Sequence, residues 1–325
     1  MNRPKIAVVG SLNMDIVVKV PRFPQEGETI TGAEARFVPG GKGANQAVAS
    51  ARLGAHTAMA GAVGGDAFGS ELLASLERNG VDAKHVRTVS GTATGIASIT
   101  LAPEDNTIVV VPGANGAVSP ADVEALEETL GAADAVLLQL EIPLGTVMAA
   151  AQLAKRFGKT VILNPAPARE LPDELLSLVD VITPNRSELL LLTGTAVGNK
   201  GESVAAAGEP HGSGQDSALE AAIDKLLARG PGAVVTTLGG DGSVFKRQGG
   251  SLSVQSAYRV PVVDTVGAGD AYNAALAYSL ALGADLLEAV RFASRASALA
   301  VTRFGAQDGM PTLAEVEALR EDAGG

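Results

Sequence analysis

The chain has 325 residues, 46% hydrophobic and 19% charged, so it is long enough for one large domain or two ordinary ones with a hydrophobic core. This composition excludes disorder, collagen and coiled coil, and the absence of cysteine excludes disulfides, thiolate metal sites and cysteine nucleophiles. The net charge of −11 argues against binding nucleic acid or an anionic membrane surface. The sequence lacks a signal-peptide pattern and any apolar run near the ~20 residues of a membrane helix, which predicts a soluble, cytoplasmic protein.

Short Val/Ile/Leu runs alternate with alanine-rich helical stretches along most of the chain. Ser70 and Gly80 bracket a helix as N-cap and C′ residue, and Ser119-Pro120 with Asp122 predict a capped helix start. In chain order the remaining predicted elements are strand 5–9, helix 41–51, strand 135–140, helix 143–157, strands 161–163 and 179–182, helices 186–192 and 217–228, strand 234–238, and helices 268–282, 286–301 and 313–319. Because each crossover is long enough for parallel pairing, we expect an α/β fold. Its core is a single domain over 1–325, with a doubly wound, mostly parallel sheet flanked by helices.

Two segments, about 15–39 and 94–112, have strand patterns with no helix between them and predict a small antiparallel β-sheet inserted in the α/β core. So small a sheet cannot bury both of its faces alone. We therefore interpret it as a lid that covers a site and pairs with the same sheet of a second copy of the chain. The alternative is a β-extension without function. The stretch 194–216 is rich in Gly, Ala and Ser and predicts a mobile surface insertion.

Several common site motifs are missing from this glycine-rich chain. No P-loop is present, and Tyr272 stands where a dinucleotide fingerprint beginning at Gly267 would need its third glycine. The three histidines form no zinc-protease pair, and there is no Gly-x-Ser-x-Gly elbow. A nicotinamide-dependent oxidoreductase therefore loses its main support.

The strongest local feature is the sequence DTVGAGD at 264–270, directly before an alanine-rich helix. We interpret it as a strand end, a glycine turn and a helix N-terminus. The backbone N–H groups of Gly267, Ala268 and Gly269 would then face a phosphate group with the helix dipole behind them. Asp270 is the candidate base for a hydroxyl that attacks a phosphoryl group, although an ordinary Asp N-cap gives the same pattern.

Other polar clusters also follow predicted strands. Asn13 and Asp15 come after the first strand, and the glycines around Lys42 and Asn45 let a ligand approach the backbone. Open α/β sheets bind ligands beyond the carboxyl ends of their strands. Four further positions share this placement: Glu141, Asn185, Glu188 and the turn 237–242. Turn chemistry explains each cluster singly, but their convergence predicts one site.

Taken together, these motifs resemble those of the ribokinase-like (PfkB-type) carbohydrate kinase family, over nearly the whole chain. The resemblance is carried by GGKGANQ at 40–46, NPAPA at 164–168, TPN at 183–185 and DTVGAGD at 264–270; the first two, with GAN at 113–115, are similar to its ribose-phosphorylating members. It implies ATP-dependent phosphorylation of D-ribose at the C5 hydroxyl. Another sugar, such as deoxyribose or fructose, or a nucleoside is the alternative acceptor, and the 3% aromatic content favours a sugar. A non-catalytic binding protein would not need Asp270 and its neighbouring glycines.

The resemblance also assigns residues. Asp270 matches the catalytic base, and Gly267, Ala268 and Gly269 match the anion hole. The sugar-binding positions match Asn13, Asp15, Gly41, Lys42, Asn45 and Glu141. The nucleotide-binding positions match Asn185, Thr237, Leu238, Gly239, Gly240, Asp241, Gly242, Gly269 and Ser294.

Two cations and a partner are implied in the same way. Glu188 matches a residue that helps place magnesium (Mg²⁺) with the nucleotide phosphates, where few protein ligands are needed. A potassium ion (K⁺) is expected beside the anion hole, and its ligands match Asp264, Val266, Ala300, Arg303, Gly305 and Gly309, the last of which is often Ser in the family. The lid is expected to join two copies in a homodimer.

Overall fold

The computed structural model describes residues 3–103, 106–195 and 215–322, so most of the predicted insertion at 194–216 lies outside the described residues. The strands are β1 (Lys5–Val9), β2 (Asn13–Lys19), β3 (Glu34–Gly40), β4 (His56–Gly64), β5 (Asp82–Val89), β6 (Gly95–Leu101), β7 (Asn106–Val111), β8 (Ala135–Leu138), β9 (Thr160–Leu163), β10 (Val181–Ile182), β11 (Ala233–Thr237), β12 (Ser243–Arg247) and β13 (Ser253–Gln255). The helices are α1 (Lys42–Arg52), α2 (Ala67–Arg78), α3 (Pro120–Glu124), α4 (Glu127–Ala132), α5 (Leu144–Arg156), α6 (Asp173–Leu176), α7 (Arg186–Thr193), α8 (Gln215–Leu227), α9 (Ala268–Ala281), α10 (Leu286–Ala300), α11 (Ala306–Gly309) and α12 (Leu313–Asp322). Among the described helices, none is long and apolar enough to cross a membrane.

The main sheet has the strand order β13-β12-β11-β10-β9-β8-β1-β4-β5. Every pair from β11 to β5 is parallel, whereas β11–β12 and β12–β13 are antiparallel. The predicted doubly wound, mostly parallel sheet is therefore confirmed. Strands β12 and β13 extend one edge of this sheet with antiparallel pairing.

Two hydrophobic clusters lie on the two faces of this sheet. One joins Val8 of β1 to Val48 of α1, Leu276 of α9 and Val290 of α10. The other joins Val9 of the same strand to residues of α5, α7 and α8. Because helices cover both faces, β1 reads as a continuous apolar run without alternation. This packing fixes the N-termini of α1 and α9 at the carboxyl edge of the sheet.

The small sheet has the order β3-β2-β6-β7. Each hairpin, β2–β3 and β6–β7, is antiparallel as predicted, but the hairpins join through a parallel β2–β6 pair, so the sheet is mixed. Only Gly10, Ser11 and Leu12 separate β1 from β2, so the chain passes directly from the main sheet into the small sheet.

Two local predictions are wrong, and a third is confirmed at its start but differs in length. Helix α2 begins before Ser70, because Asp66 caps it by accepting a hydrogen bond from Gly69 N–H at 2.8 Å. No strand precedes the 264–270 motif, since Val263 N–H donates to the carbonyl of Val301 at 2.8 Å and not to a neighbouring strand. The helix predicted from Ser119 has its capping box, but it is interrupted between α3 and α4.

Candidate active site

The candidate site lies where β1 and β8 end and where α1 and α9 begin. Glu141 follows β8 and reaches the N-terminus of α1, where its Oε2 accepts from Lys42 N–H at 3.1 Å. The same oxygen accepts from the Ser11 hydroxyl through a short hydrogen bond and from Asn13 Nδ2 at 3.5 Å. A carboxylate is favoured there because the N-terminus of a helix carries partial positive charge.

Gly41 permits the close approach of α1 to β2. Its φ of 89° lies in the left-handed region, and a Cβ at this position would lie 2.6 Å from Asn13 N. A larger residue would therefore push α1 away from Asn13, which is the reason for glycine between β3 and α1.

Asn115, to which the sequence analysis gave no role, orients the Asn13 side chain. Asn115 Oδ1 accepts from Leu12 N–H at 2.9 Å, and its Nδ2 donates to Leu12 O at 2.9 Å and to Asn13 Oδ1 at 2.8 Å. Asn115 is buried, so these bonds replace those it would make with water. The Asn13 amide group is thus left to donate towards Glu141 and the site.

Asp270 is buried at 6% exposure near the start of α9. Its Oδ2 accepts from Asn45 Nδ2 at 2.9 Å, and its Oδ1 accepts from Gln46 Nε2 at 3.0 Å. The N-cap of α9 is Gly267, with φ 81°, and no side chain of the described residues caps it. The alternative interpretation of Asp270 as an ordinary N-cap is therefore wrong.

The turn before α9 presents backbone to open space. A Cβ built on Gly269 would meet no atom within 4 Å, whereas Ala268 N–H already donates to Thr265 O at 3.3 Å. The open side of Gly269 can receive an anion at the positive end of the helix.

A cavity of about 540 Å³ adjoins Gly269. Six predicted nucleotide-binding residues line it: Thr237, Gly239, Gly240, Gly242, Gly269 and Ser294. Leu238 and Asp241 lie in the same turn but do not line the cavity. Sequence reasoning missed lining residues from the irregular segment before α9 and from α9 and α10, among them Tyr258, Arg259, Tyr272 and Val301. The consecutive residues Tyr258 and Arg259 lie in a stretch without helix or strand periodicity, and this was the sequence feature that could have indicated a binding role.

Asn185 and Glu188 meet as a capping box at the start of α7. Asn185 N–H donates to Glu188 Oε2 at 2.8 Å, and Glu188 N–H donates to Asn185 Oδ1 at 2.9 Å. Asn185 also forms an isolated parallel bridge with Thr237, which places α7 next to the cavity.

Comparisons with known proteins identify the family. The pfkB family carbohydrate kinase model matches residues 3–313. The chain belongs to this family. Ribokinase of Haemophilus influenzae is 40% identical over 322 residues, which cover 99% of this chain and 100% of that protein. Deoxyribokinase of Salmonella typhi is 34% identical over 310 residues, which cover 95% of this chain and 96% of that protein.

A solved structure gives the same result for the fold. Arabidopsis thaliana ribokinase, complexed with ribose and ATP, matches with a TM-score of 0.85 at 35% sequence identity, covering 98% of this chain and 99% of that chain. The predicted family and fold class are both confirmed. The protein is a carbohydrate kinase with the fold of the ribokinases.

Carboxylates dominate the electrostatics of the kinase's site. Burial, with the charges of Glu141 and Asp270, raises the pKa of Asp15 from 3.8 to about 7, although Lys42 opposes this. For Lys42, burial alone would lower the pKa, but the carboxylates of Asp270, Glu141, Glu188 and Asp15 outweigh it and hold the pKa above its usual value. Burial also raises the pKa of Glu188. Lys42 is thus the cation that these four carboxylates share.

The residues expected to hold potassium come from two adjacent segments. Asp264 accepts from Val266 N–H and from Gly305 N–H, both at 3.0 Å. A Cβ on Gly309 would lie 2.9 Å from Ala300 O and 3.6 Å from Arg303 O. Carbonyl and carboxylate oxygens are the donors that hard cations prefer, so this donor set fits an alkali cation. Over the described ranges, no three His, Asp or Glu side chains converge as a metal cluster.

The two sides of the site come from different parts of the chain. The polar residues around Glu141 all precede position 142, whereas the cavity is lined by residues 237–301. Asp270 stands between them, bound to α1 and adjacent to Gly269. The arrangement can hold a polyhydroxylated acceptor on one side and a phosphate donor on the other.

Proposed function

We propose that this kinase transfers the γ-phosphoryl group of ATP to the C5 hydroxyl of D-ribose, giving ribose 5-phosphate and ADP. The observation that carries the proposal is the position of Asp270, a buried carboxylate held by two amide donors next to Gly269, which opens onto the cavity. A base beside an anion-binding helix N-terminus is what phosphoryl transfer to a hydroxyl requires. The Arabidopsis relative that binds ribose and ATP supports the choice of substrates.

The reaction follows from this arrangement. Asp270 accepts the proton of the C5 hydroxyl while the hydroxyl oxygen forms a bond to the γ-phosphorus. The bond between the γ-phosphorus and the leaving oxygen of ADP breaks. The N–H groups of Gly267 and Gly269 stabilise the charge that develops on the transferred group, since Ala268 N–H donates to Thr265 O. Magnesium, when bound with the nucleotide, supplies charge neutralisation, and Asn185 and Glu188 are the residues we assign to hold it.

The sugar side supplies both donors and acceptors. Asn13, Lys42 and Asn45 donate, and Asp15 and Glu141 accept, which suits a compact ligand with several hydroxyl groups. Deoxyribose is the second candidate acceptor, because a deoxyribokinase is 34% identical over 95% of the chain. A cytoplasmic location stays a prediction.

The proposal is tested by initial rates of ADP release with Mg²⁺-ATP and each of four acceptors: ribose, deoxyribose, fructose and adenosine. We expect the highest kcat/KM with ribose, and Asp270→Asn should lower kcat by ~10² or more while ribose binding persists in calorimetry. A higher kcat/KM with deoxyribose than with ribose would replace ribose as the proposed acceptor and leave the proposed mechanism unchanged. Near-normal turnover by Asp270→Asn would contradict the role of Asp270.

We infer that potassium activates the kinase through the two segments around Asp264 and Gly309. Asp264 lies shortly before Gly267, the N-cap of α9, so a cation bound to Asp264 would order this turn. Asp264→Asn should reduce stimulation by KCl relative to NaCl, and the KCl-dependent rise in melting temperature should shrink with it. An unchanged response in both measurements would remove this assignment.

We propose in addition that the lid joins two copies into a homodimer. Its edge strand β7 carries exposed apolar side chains, Val109 at 63% and Val111 at 49%, and Phe37 on β3 is 60% exposed. An exposed apolar edge strand needs covering. Val109→Asp should convert the dimer to a monomer in sedimentation velocity, whereas Leu282→Asp, at an exposed position after α9, should leave it a dimer. A wild-type monomer at assay concentration would refute the proposal.

A further inference from the structure

The base Asp270 lies at one end of a line of buried side-chain amides that the mechanism above does not use. Gln139, just after β8, donates from Nε2 to Gln46 Oε1 at 2.6 Å. Gln46, on α1, in turn donates from Nε2 to Asp270 Oδ1 at 3.0 Å and to Asn164 Oδ1 at 3.3 Å. Gln46 and Gln139 are both 0% exposed. The line therefore runs from the strand through the helix to the base without contact with solvent.

The direction of this line is fixed by its partners. With its amide reversed, Gln46 would turn Oε1 towards the Asp270 carboxylate and towards Asn164 Oδ1, and its NH₂ group towards the NH₂ group of Gln139. Each of the three contacts would then join two acceptors or two donors. Gln46 is thus held as a donor to Asp270 because Gln139 donates to it from behind.

Gln139 has no other evident reason to be polar. Its Oε1 is buried, and no donor in the described part of the chain reaches it. A buried acceptor without a donor lowers stability, and an apolar residue after the buried strand β8 would avoid this cost. Its bond to Gln46 accounts for the amide group.

Asp270 needs such a donor because its surroundings are acidic. The carboxylates of Asp15 on β2 and Glu141 after β8 face the site, and Lys42 on α1 is the cation that faces them. Burial and neighbouring negative charge both favour the protonated, inactive form of a base, whereas a donated hydrogen bond favours the ionised form. The bond from Gln46 occupies Oδ1, while Oδ2 is bound by Asn45, one of the proposed sugar-binding residues.

We propose that Gln46 and Gln139 are positioning residues that keep Asp270 ionised and leave its Oδ2 to the acceptor hydroxyl. The inference rests on the proposed function, since it takes Asp270 as the base. Gln46 acts directly on the carboxylate and Gln139 acts through Gln46. The effects of the two glutamines on the ionisation of Asp270 therefore have the same sign, and the effect of Gln139 is the smaller one.

The test is the pH dependence of kcat for ribose phosphorylation from pH 5 to 9, with full-length protein. Gln46→Met keeps the length of the side chain and removes the donor, so we expect the midpoint of the acid limb to rise by about one pH unit. At pH values below both midpoints we expect kcat about 10-fold lower than in the wild type, with the two rates converging at high pH and the KM for ribose within about 2-fold of the wild type. Gln139→Met should move the midpoint in the same direction by less.

Two further variants sharpen the comparison. Gln139→Leu removes the amide donor together with the unpartnered Oε1, and it should raise the midpoint as Gln139→Met does. Thr57→Val removes a buried hydroxyl on β4 that also has no partner in the described part of the chain, and it should leave the midpoint unchanged. A purely structural role would lower the melting temperature or the active fraction without moving the midpoint.

The outcomes separate this inference from the function on which it rests. If Asp270→Asn retains turnover, the proposed function fails. If Asp270→Asn is inactive but the Gln46 and Gln139 variants have the wild-type midpoint, only the positioning role is overturned. If Gln46→Met does not fold, the two Gln139 variants decide the question, because they leave every side chain in contact with Asp270 unchanged.

Discussion

Asp15 is a place where the site lowers the stability of the protein. Its pKa is raised from 3.8 to about 7 by burial and by the carboxylates of Glu141 and Asp270, and its side chain is only 8% exposed. One pKa unit corresponds to roughly 1.4 kcal/mol, so at pH 8 ionised Asp15 lowers the free energy of unfolding by about 4 kcal/mol relative to a neutral residue. Asp15→Asn keeps the size of the side chain and removes this cost.

The sign of the pH dependence follows from the direction of the shift. The folded protein holds the proton of Asp15 more tightly than the unfolded chain, so the contribution to stability is complete below about pH 4 and is lost as the pH rises through about 7. The advantage of Asp15→Asn should therefore grow from about 2 kcal/mol at pH 5 to about 4 kcal/mol at pH 8. The same variant should lose most of its sugar binding.

Urea denaturation of both proteins at pH 5 and pH 8 measures this difference directly. Asp66→Asn is the matched control, because burial alone would raise the pKa of Asp66 but hydrogen bonds from Thr94 and from Gly69 N–H hold it below its usual value. That variant should be destabilised, by a similar amount at both pH values. If Asp15→Asn is no more stable than the wild type at pH 8, or if its advantage does not change with pH, the reasoning about Asp15 is refuted.

Two other predictions concern the first turns of α9 and α12. Gly269→Ala adds a methyl group on the open side of the turn, so the melting temperature should not fall, while the KM for ATP rises about 10-fold in initial-rate assays; an unchanged KM would mean that the phosphates lie elsewhere. Glu315→Gln removes a carboxylate whose pKa is lowered to about 2, chiefly by its hydrogen bond from Arg303. Because that pair is partly exposed, the loss at pH 7 should stay within about 1 kcal/mol in urea denaturation and vanish as the pH falls towards 2. A loss that persists at low pH would contradict the origin of the shift.

The sequence predicted the layered core well, because local patterns decide it. Continuous apolar runs such as β1 and amphipathic helices such as α5 carry their own signal. Strand β4 was missed because its sequence HTAMAGAVG is rich in alanine and glycine and shows no alternation. The parallel pairing of β2 with β6 depends on residues about 80 positions apart, which no local pattern records.

For the site, glycine turns and polar strand ends located the residues that bear charge. The structure brings together Asn13, Glu141, Lys42 and Asp270 as expected. It also adds residues to which the sequence motifs assigned no role. A glutamine inside a helix or after a strand, such as Gln46 or Gln139, gains a role only when folding places it against a carboxylate.

The separation of the site into an early and a late part of the chain has a consequence for how this kinase can change. In the proposed function, the acceptor contacts lie before position 142 and the cavity is lined by residues 237–301, with Asp270 next to both. Substitutions on β2, around Lys42 or after β8 can therefore alter which sugar is accepted while nucleotide handling stays intact. New acceptor specificities can arise within this scaffold without rebuilding its catalytic chemistry.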